Sequence, residues 1–243
     1  MAEIGFGYGS EFQLLRALGH HRNSFLKQIQ STIGASEPIE WLDYPCDSNR
    51  LSLDGEYTDI ECFQKEPYYD ALSKNWPEFW PVRGSRAQNW DGIFRIGNKW
   101  YFVEAKAHLS ELESTHRAIS EKSENTILNS LDKTAKWLKS CKAGVDWLHS
   151  PYYQFANRLA FCRFLRENGI EAYVVNVFFL NGYEKPKGTR RVIAQNYSVT
   201  DSSDWQAAIN TEIDDLGISE ESLRDISYNV IVDCLNYEIA VHF

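Results

Sequence analysis

Two carboxylates and an ammonium group lie close together in a predicted β-hairpin, where they could bind a cation and handle a proton. Asp91 precedes and Glu104 follows the dipeptide Gly97-Asn98, which is typical of a two-residue hairpin turn. A turn centred on that dipeptide pairs Asp91 directly with Glu104, with Cβ atoms roughly 4.5–5.5 Å apart, where like charges repel. A positive group is therefore expected beside them, and Lys106 projects from the same face of the strand as Glu104.

This combination of groups suits the hydrolysis of phosphodiester bonds. Two carboxylates and a free main-chain carbonyl provide the oxygen ligands that Mg²⁺ prefers, and Mg²⁺ keeps several water molecules when it binds to proteins. The ion can lower the pKa of a bound water and neutralise charge that develops on a phosphoryl oxygen. A nearby ammonium group can orient that water or help to deprotonate it.

The strand that carries Glu104 and Lys106 is predicted to be central in its sheet. The run Trp100-Tyr-Phe-Val103 is apolar on both faces, as in strands that are covered on both sides. Charges at the end of such a strand indicate a functional site. The alternative is a solvated hairpin edge at which Lys106 only neutralises Glu104, and exposed pairs of that kind contribute about 0–1 kcal/mol.

At these residues the chain resembles the PD-(D/E)XK nuclease superfamily, the fold of many restriction endonucleases. The signature of that family is an aspartate on one strand and Glu-x-Lys on the next. Asp91 matches the aspartate, and Glu104 and Lys106 match the second part. Trp90 stands where the family often has proline, a position that is not a metal ligand.

The resemblance implies a role for each matched residue. Asp91, Glu104 and the backbone carbonyl of Ala105 would bind Mg²⁺, for which Mn²⁺ could substitute, and Lys106 would assist the attacking water. A glutamate on the first helix of the family often adds a metal contact, and Glu11 is its best match. The alternative for Glu11 is a favourable interaction with the dipole of its own helix.

A later helix, predicted over residues 152–168, brings two more polar candidates. Gln154 and Arg158 lie one turn apart on one face of this helix. Many family members carry a glutamine, lysine or arginine on the corresponding helix, close to the site. The resemblance thus implies that Gln154 positions phosphate or water, and the alternative is an ordinary polar residue in the first helical turn.

The order of predicted elements gives an α/β fold with a restriction endonuclease-like core over residues 10–180. A central mixed sheet flanked by helices follows the order α-β-β-β-α-β, with a helical insertion at 107–150 and a C-terminal α/β extension at 190–243. We expect one domain. The predicted helices are 10–33, 152–168 and 205–216; the strands are 41–44, 57–63, 91–96, 99–106, 172–180, 191–194, 228–232 and 237–241; and 67–81 is predicted as an ordered loop.

Composition limits the partners of this chain of 243 residues. The formal charge of −9 argues against nonspecific coating of nucleic acid, although a local basic cleft remains compatible with it. Candidates for such a cleft are Arg22, Arg83, Arg86, Arg158, Arg190 and Arg191, and each of the short basic runs could equally be solvated surface. Five widely spaced cysteines, no long apolar run and no signal-like N-terminus predict a cytoplasmic protein without a membrane partner.

The sequence therefore predicts a metal-dependent nuclease that hydrolyses DNA, most simply an endonuclease of a microbial restriction, defence or repair system. A homodimer stays open, because nucleases that cut both strands often pair their sites across a two-fold axis. Two alternatives also remain. One is a nuclease-fold protein that binds nucleic acid or acts as a scaffold without cutting, and the other is an unrelated α/β domain whose hairpin carboxylates bind a structural cation or nothing.

Overall fold

The computed structural model describes residues 9–43, 57–81, 88–116, 118, 120–182 and 199–235. These residues form an α/β fold in which helices cover both faces of a five-stranded mixed sheet. The helices are α1 Ser10–His20, α2 Arg22–Ile33, α3 Tyr69–Phe79, α4 Glu121–Trp137, α5 Gly144–His149, α6 Tyr153–Glu167, α7 Ser202–Asp215 and α8 Glu220–Leu223. The strands are β1 Glu40–Trp41, β2 Gly92–Ile96, β3 Lys99–Lys106, β4 Ala172–Leu180 and β5 Ser227–Asp233.

Strand β3 is the central strand of the sheet, as its apolar faces predict. The strand order is β1-β2-β3-β4-β5, in which β1, β2 and β3 are antiparallel neighbours and β3, β4 and β5 run parallel. The register of the β2–β3 hairpin is the one that the Gly97-Asn98 turn predicts, from Ile96 opposite Lys99 to Gly92 opposite Val103. Gly92 is required by packing, because a Cβ there would lie 2.5 Å from Cζ2 of Trp41.

The alternating side chains of β3 divide the core into two parts. Trp100 and Phe102 point to the side covered by α3, α4, α6 and α7, where most of the large aromatic residues pack. Tyr101 and Val103 point to the side covered by α1 and α2. Most of the predicted elements are confirmed in place: β3 and β4 match residue for residue, and α6, α7, β2 and β5 differ only at their ends.

The predicted helix over 10–33 is wrong as a single element. The chain leaves helical geometry at His21 (φ −120°, ψ 22°), where α1 ends and α2 begins, and α2 then ends at the left-handed Gly34. Gly19, two residues before this break, has low helix propensity. Both helices still bury an apolar face, which includes Leu14 and Phe25.

The predictions for 57–63 and 67–81 are also wrong. Thr58 pairs with Asn89 in an isolated bridge, after which Asp59 turns the chain at φ 49° and residues 61–63 form one 3₁₀ turn. The Asp59 carboxylate accepts the N–H of Gln88 at 2.9 Å, so its polar character stabilises a turn. Residues 69–79 form α3, because inward residues recur at helical spacing and Pro77 lies near the helix end; the buried members are Leu72, Trp76 and Phe79.

Some predicted elements lie partly or wholly outside the described residues. The strands predicted at 191–194 and 237–241 lie outside the described residues, as does the end of the strand predicted at 41–44. The observed strand in that region is β1, which covers residues 40–41. The segment 107–150 contains α4 and α5, as its helical pattern predicts. Among the described helices, none has both the length and the apolar character needed to cross a membrane.

Candidate active site

The hairpin brings Asp91 to the end of β3. Asp91 directly precedes the first ladder pair of β2, and its N–H donates to the carbonyl of Val103 at 3.1 Å. One carboxylate oxygen, Oδ2, accepts the N–H of Ala105 at 2.8 Å. The carboxylate is thereby held against the backbone of the strand that presents Glu104 and Lys106.

Glu104 is a buried carboxylate with both oxygens occupied, and its residue is only 5% exposed. Its Oε1 accepts from Nζ of Lys106 and from Nε2 of Gln154, each at 2.7 Å. Its Oε2 accepts from Nε of Arg158 at 2.9 Å. Two cationic side chains and one amide thus surround a single carboxylate in the interior, which excludes the solvated hairpin edge as a description of these residues.

Gln154 connects the charged pair to helix α6. Its Oε1 accepts from Nζ of Lys106 at 2.8 Å, while its Nε2 donates to Glu104, so the amide bridges both groups. Its backbone N–H donates to Oγ of Ser114 at 2.7 Å, which fixes the first turn of the helix. The position that sequence reasoning assigned to Gln154, beside the Glu-x-Lys motif, is where the structure has it.

Arg158 is the second cation of the cluster and is held on three sides. Besides Glu104, it donates from Nη2 to the carbonyl of Asn89 at 2.7 Å. Its guanidinium carbon lies 4.5 Å from the ring centroid of Trp90, close enough for a cation–π interaction. Trp90, fully buried, thus provides the surface on which Arg158 rests.

The charges of the cluster follow from its burial. Burial and the nearby Glu104 raise the pKa of Asp91 to about 8, so Asp91 holds a proton at neutral pH. Burial alone would raise the pKa of Glu104 too, but Lys106 and Arg158 outweigh it and lower that pKa. Burial would lower the pKa of Lys106, and the neighbouring Glu104 and Asp91 raise it instead. Glu104 and Lys106 are therefore an ion pair.

A small cavity lies beside this ion pair. Its volume of about 10 Å³ is enough for roughly one water molecule. The polar residues that line it are Glu104, Lys106, Gln154, Arg158, Asn176 and Glu212. Asn176 comes from β4, directly opposite Glu104, and Glu212 comes from α7.

Sequence reasoning missed Asn176 and Glu212, although each leaves a signal in the sequence. Asn176 is the one polar residue between Ala172 and Leu180, in an otherwise apolar or aromatic strand. Glu212 lies at helical spacing from the buried Trp205 and Ile209, and therefore on the inner face of α7. In both cases the signal is a polar residue at a position that the sequence pattern predicts to be buried in the core.

The side chain of Glu212 is buried, and no hydrogen bond joins it to the described part of the chain. It is 4% exposed, and its carboxyl group accepts no hydrogen bond from any residue that the structure describes. Burial raises its pKa to about 8, while the positive charge of Lys106 acts in the opposite direction. Glu212 and Lys106 thus line one cavity, and the positive charge of Lys106 favours the ionised form of the Glu212 carboxyl group.

Two further predicted site residues, Glu11 and Arg22, belong to the first two helices. Glu11 lies in the first turn of α1 and Arg22 at the start of α2, both on helices that cover the opposite face of the sheet. Ser10, beside Glu11, donates from Oγ to Glu111, whose other oxygen accepts the N–H of Ala107 just beyond β3. The remaining predicted arginines, Arg83, Arg86, Arg190 and Arg191, lie outside the described residues.

The donor set of the cluster fits a hard divalent cation only in part. Within the described ranges, no group of three or more His, Cys, Asp and Glu side chains is placed to hold a metal ion. Two carboxylates and one carbonyl are nevertheless sufficient for Mg²⁺, which keeps several of its waters. Glu104 would have to exchange one of its present contacts for the ion, since both of its oxygens are occupied.

Comparison of the chain with protein-family models, with curated proteins and with solved structures finds no match. The functional assignment therefore depends on the residues of the cluster and their geometry.

Proposed function

We propose that the chain is a metal-dependent nuclease that hydrolyses phosphodiester bonds of DNA, built on a restriction endonuclease-like form of the α/β fold. The observation that carries the proposal is the buried cluster at the end of the central strand. In this cluster Glu104 and Lys106 of β3 meet Gln154 of α6, with Asp91 held against the same strand. The simplest biological setting is an endonuclease of a microbial restriction, defence or repair system.

The cost of the cluster supports a functional role. Taking an ion out of water costs several kcal/mol, and apolar side chains of similar volume often fill such a position with equal or greater stability. Glu104, Lys106 and Arg158 are each less than a tenth exposed, and they lie at the end of a strand that is otherwise apolar. Charged groups retained under these conditions, with shifted pKa values, are typical of functional sites.

The residues of the cluster suit separate tasks in hydrolysis. Asp91, Glu104 and the carbonyl of Ala105 would hold Mg²⁺, which supplies charge neutralisation at phosphate and lowers the pKa of a bound water. Lys106, already hydrogen-bonded to Gln154, would orient the attacking water. Arg158, fixed by Asn89 and Trp90, would hold Glu104 in position and keep it ionised.

A second candidate is a protein of the same fold that binds nucleic acid or acts as a scaffold without cutting. The observation that favours it is the complete occupation of Glu104 by Lys106, Gln154 and Arg158. The net charge of −9 favours the scaffold form of this alternative, because tight binding of a polyanion requires clustered basic residues. In this alternative the two cations replace the metal permanently.

The test is cleavage with a matched pair of lysine variants from one strand. Supercoiled plasmid, linear duplex, single-stranded DNA and RNA are incubated with the chain in Mg²⁺, Mn²⁺ or EDTA. Lys106→Met should abolish metal-dependent cutting, whereas Lys99→Met, at the exposed start of the same strand, should leave it unchanged. Absence of cutting on every substrate, together with absence of Mg²⁺ binding, would contradict the nuclease proposal.

A further inference from the structure

Glu212 lines the same cavity as Lys106, and none of the roles proposed above involves it. On the basis of the proposed nuclease function, we infer that Glu212 is a positioning residue. When a divalent cation displaces the ammonium group of Lys106 from Glu104, Glu212 would accept that ammonium group. Glu212 and Lys106 line the same small cavity. Lys106 would thus exchange one carboxylate partner for another.

The first step follows from the occupation of Glu104. A cation that binds this carboxylate must displace Lys106, Gln154 or Arg158 from it. Arg158 is the hardest to move, because a second hydrogen bond to Asn89 and the ring of Trp90 hold its planar head. Lys106 ends in a compact ammonium on a flexible stem, and it carries the positive charge that a cation would replace most directly.

The second step concerns the destination of the displaced ammonium. Lys106 is only 8% exposed, so a buried cation without an anion would be costly. Gln154 offers one neutral acceptor, Oε1. The cavity adds Glu212, and its room for about one water allows the ammonium to move while the core stays closed.

Two other roles for Glu212 make different predictions. As a third ligand, Glu212 would contribute to cation binding whether or not Lys106 is present. As a structural residue of α7, it would affect stability and leave cation binding unchanged. If Glu212 accepts the displaced ammonium group of Lys106, Glu212 affects cation binding only when Lys106 is present.

The experiment is a double-mutant cycle read out by calorimetry of Mg²⁺ binding to the full chain. The four proteins are the unaltered chain, Glu212→Gln, Lys106→Met and the double variant, measured above the Glu212 pKa of about 8. Glu212→Gln should weaken Mg²⁺ binding by roughly tenfold, within the usual range for coupled neighbours. The same change should have no effect in the Lys106→Met background.

Two control variants separate the effects of charge and of folding from the proposed movement of Lys106 to Glu212. Asp214→Asn removes one negative charge from the exposed side of the same helix and should leave Mg²⁺ affinity unchanged. Glu212→Met fills the same space without charge and should reproduce the effect of Glu212→Gln if the latter is destabilised. Equal losses in both backgrounds would make Glu212 a ligand, and no loss would make it structural. Absence of Mg²⁺ binding by the unaltered chain would overturn the nuclease proposal as well.

Discussion

Two rows of side chains cross the central sheet on opposite faces, and they differ completely in character. On the α1–α2 face, neighbouring aromatic rings have centroids 4.8, 4.9 and 5.9 Å apart along the row Phe94, Tyr101, Tyr173 and Tyr228. On the other face, Glu104 lies opposite Asn176, whose Nδ2 donates to Oδ1 of Asn229 at 3.0 Å. Strand β3 contributes to both rows.

The difference distinguishes the face of the sheet that stabilises the fold from the face that carries the candidate site. Aromatic rows bury large apolar surfaces and add about 0.5–1.5 kcal/mol per pair beyond that burial. The polar row requires hydrogen bonds and ion pairs to offset desolvation, and Glu104 has these from Lys106 and Arg158. The same strand therefore serves as scaffold on one face and as candidate site on the other.

The largest effect is expected from removing the carboxylate of the polar row. Glu104→Ala leaves Lys106 and Arg158 as buried cations without their anion, and should lower the free energy of unfolding by about 3–5 kcal/mol. Urea unfolding followed by circular dichroism measures this change. Replacing all three together, as Glu104→Leu, Lys106→Met and Arg158→Met, should recover most of the loss. A single change that costs under about 1 kcal/mol would mean that the ion pairs are not formed.

A smaller effect is expected from the apolar face of the same strand. Val103→Ala removes two methyl groups from a fully buried position and should cost about 2 kcal/mol in the free energy of unfolding. Because Val103 faces away from the cluster, Mg²⁺ affinity and cleavage should stay unchanged. A loss of Mg²⁺ binding like that of a site variant would show that the two faces are not independent.

A pH-dependent effect is expected from Glu212, whose pKa is raised from 4.5 to about 8. The folded chain holds this proton more tightly than the unfolded chain. The contribution of Glu212 to the free energy of unfolding is therefore fully present below pH 4.5 and lost as the pH rises to about 8. The slope is at most about 1.4 kcal/mol per pH unit.

Glu212→Gln removes this titration. Urea unfolding of both proteins at a series of pH values should show the stability of the unaltered chain falling relative to the variant through that window. Above it, the difference should become constant. The titration of Asp91 is common to both proteins, so the difference isolates Glu212. Parallel stability curves would show that Glu212 is not desolvated.

The sequence predicts the local part of this site well and the distant part poorly. The turn at Gly97-Asn98 determines the register that brings Asp91 to the strand of Glu104 and Lys106, because hairpin pairing depends only on neighbouring residues. Glu212 belongs to a helix whose packing on the sheet no local pattern reveals. Asn176 stands out as the polar residue of an otherwise apolar or aromatic strand, but its position opposite Glu104 requires the parallel pairing of β3 with β4.

The mistaken elements have a related cause. Helix α3 contains Pro77 close to its C-terminal end, so the bond that proline removes is confined to the last turn; composition alone favoured a loop. The polar alternation over 57–63 suggested a strand, although Asp59 uses its carboxylate for a turn. In both places side-chain position mattered more than residue type.

The separation of the site residues along the chain has a consequence for the order of folding. Asp91 and Ala105, which bond through a local hairpin, are 14 residues apart, whereas Glu104 is 50 residues from Gln154 and 54 from Arg158. Closing the larger loops carries a greater entropic cost and follows local pairing. The hairpin thus forms with its carboxylates still hydrated, and their desolvation waits until α6 docks. The cluster is completed late, and its ion pairs slow unfolding more than they speed folding.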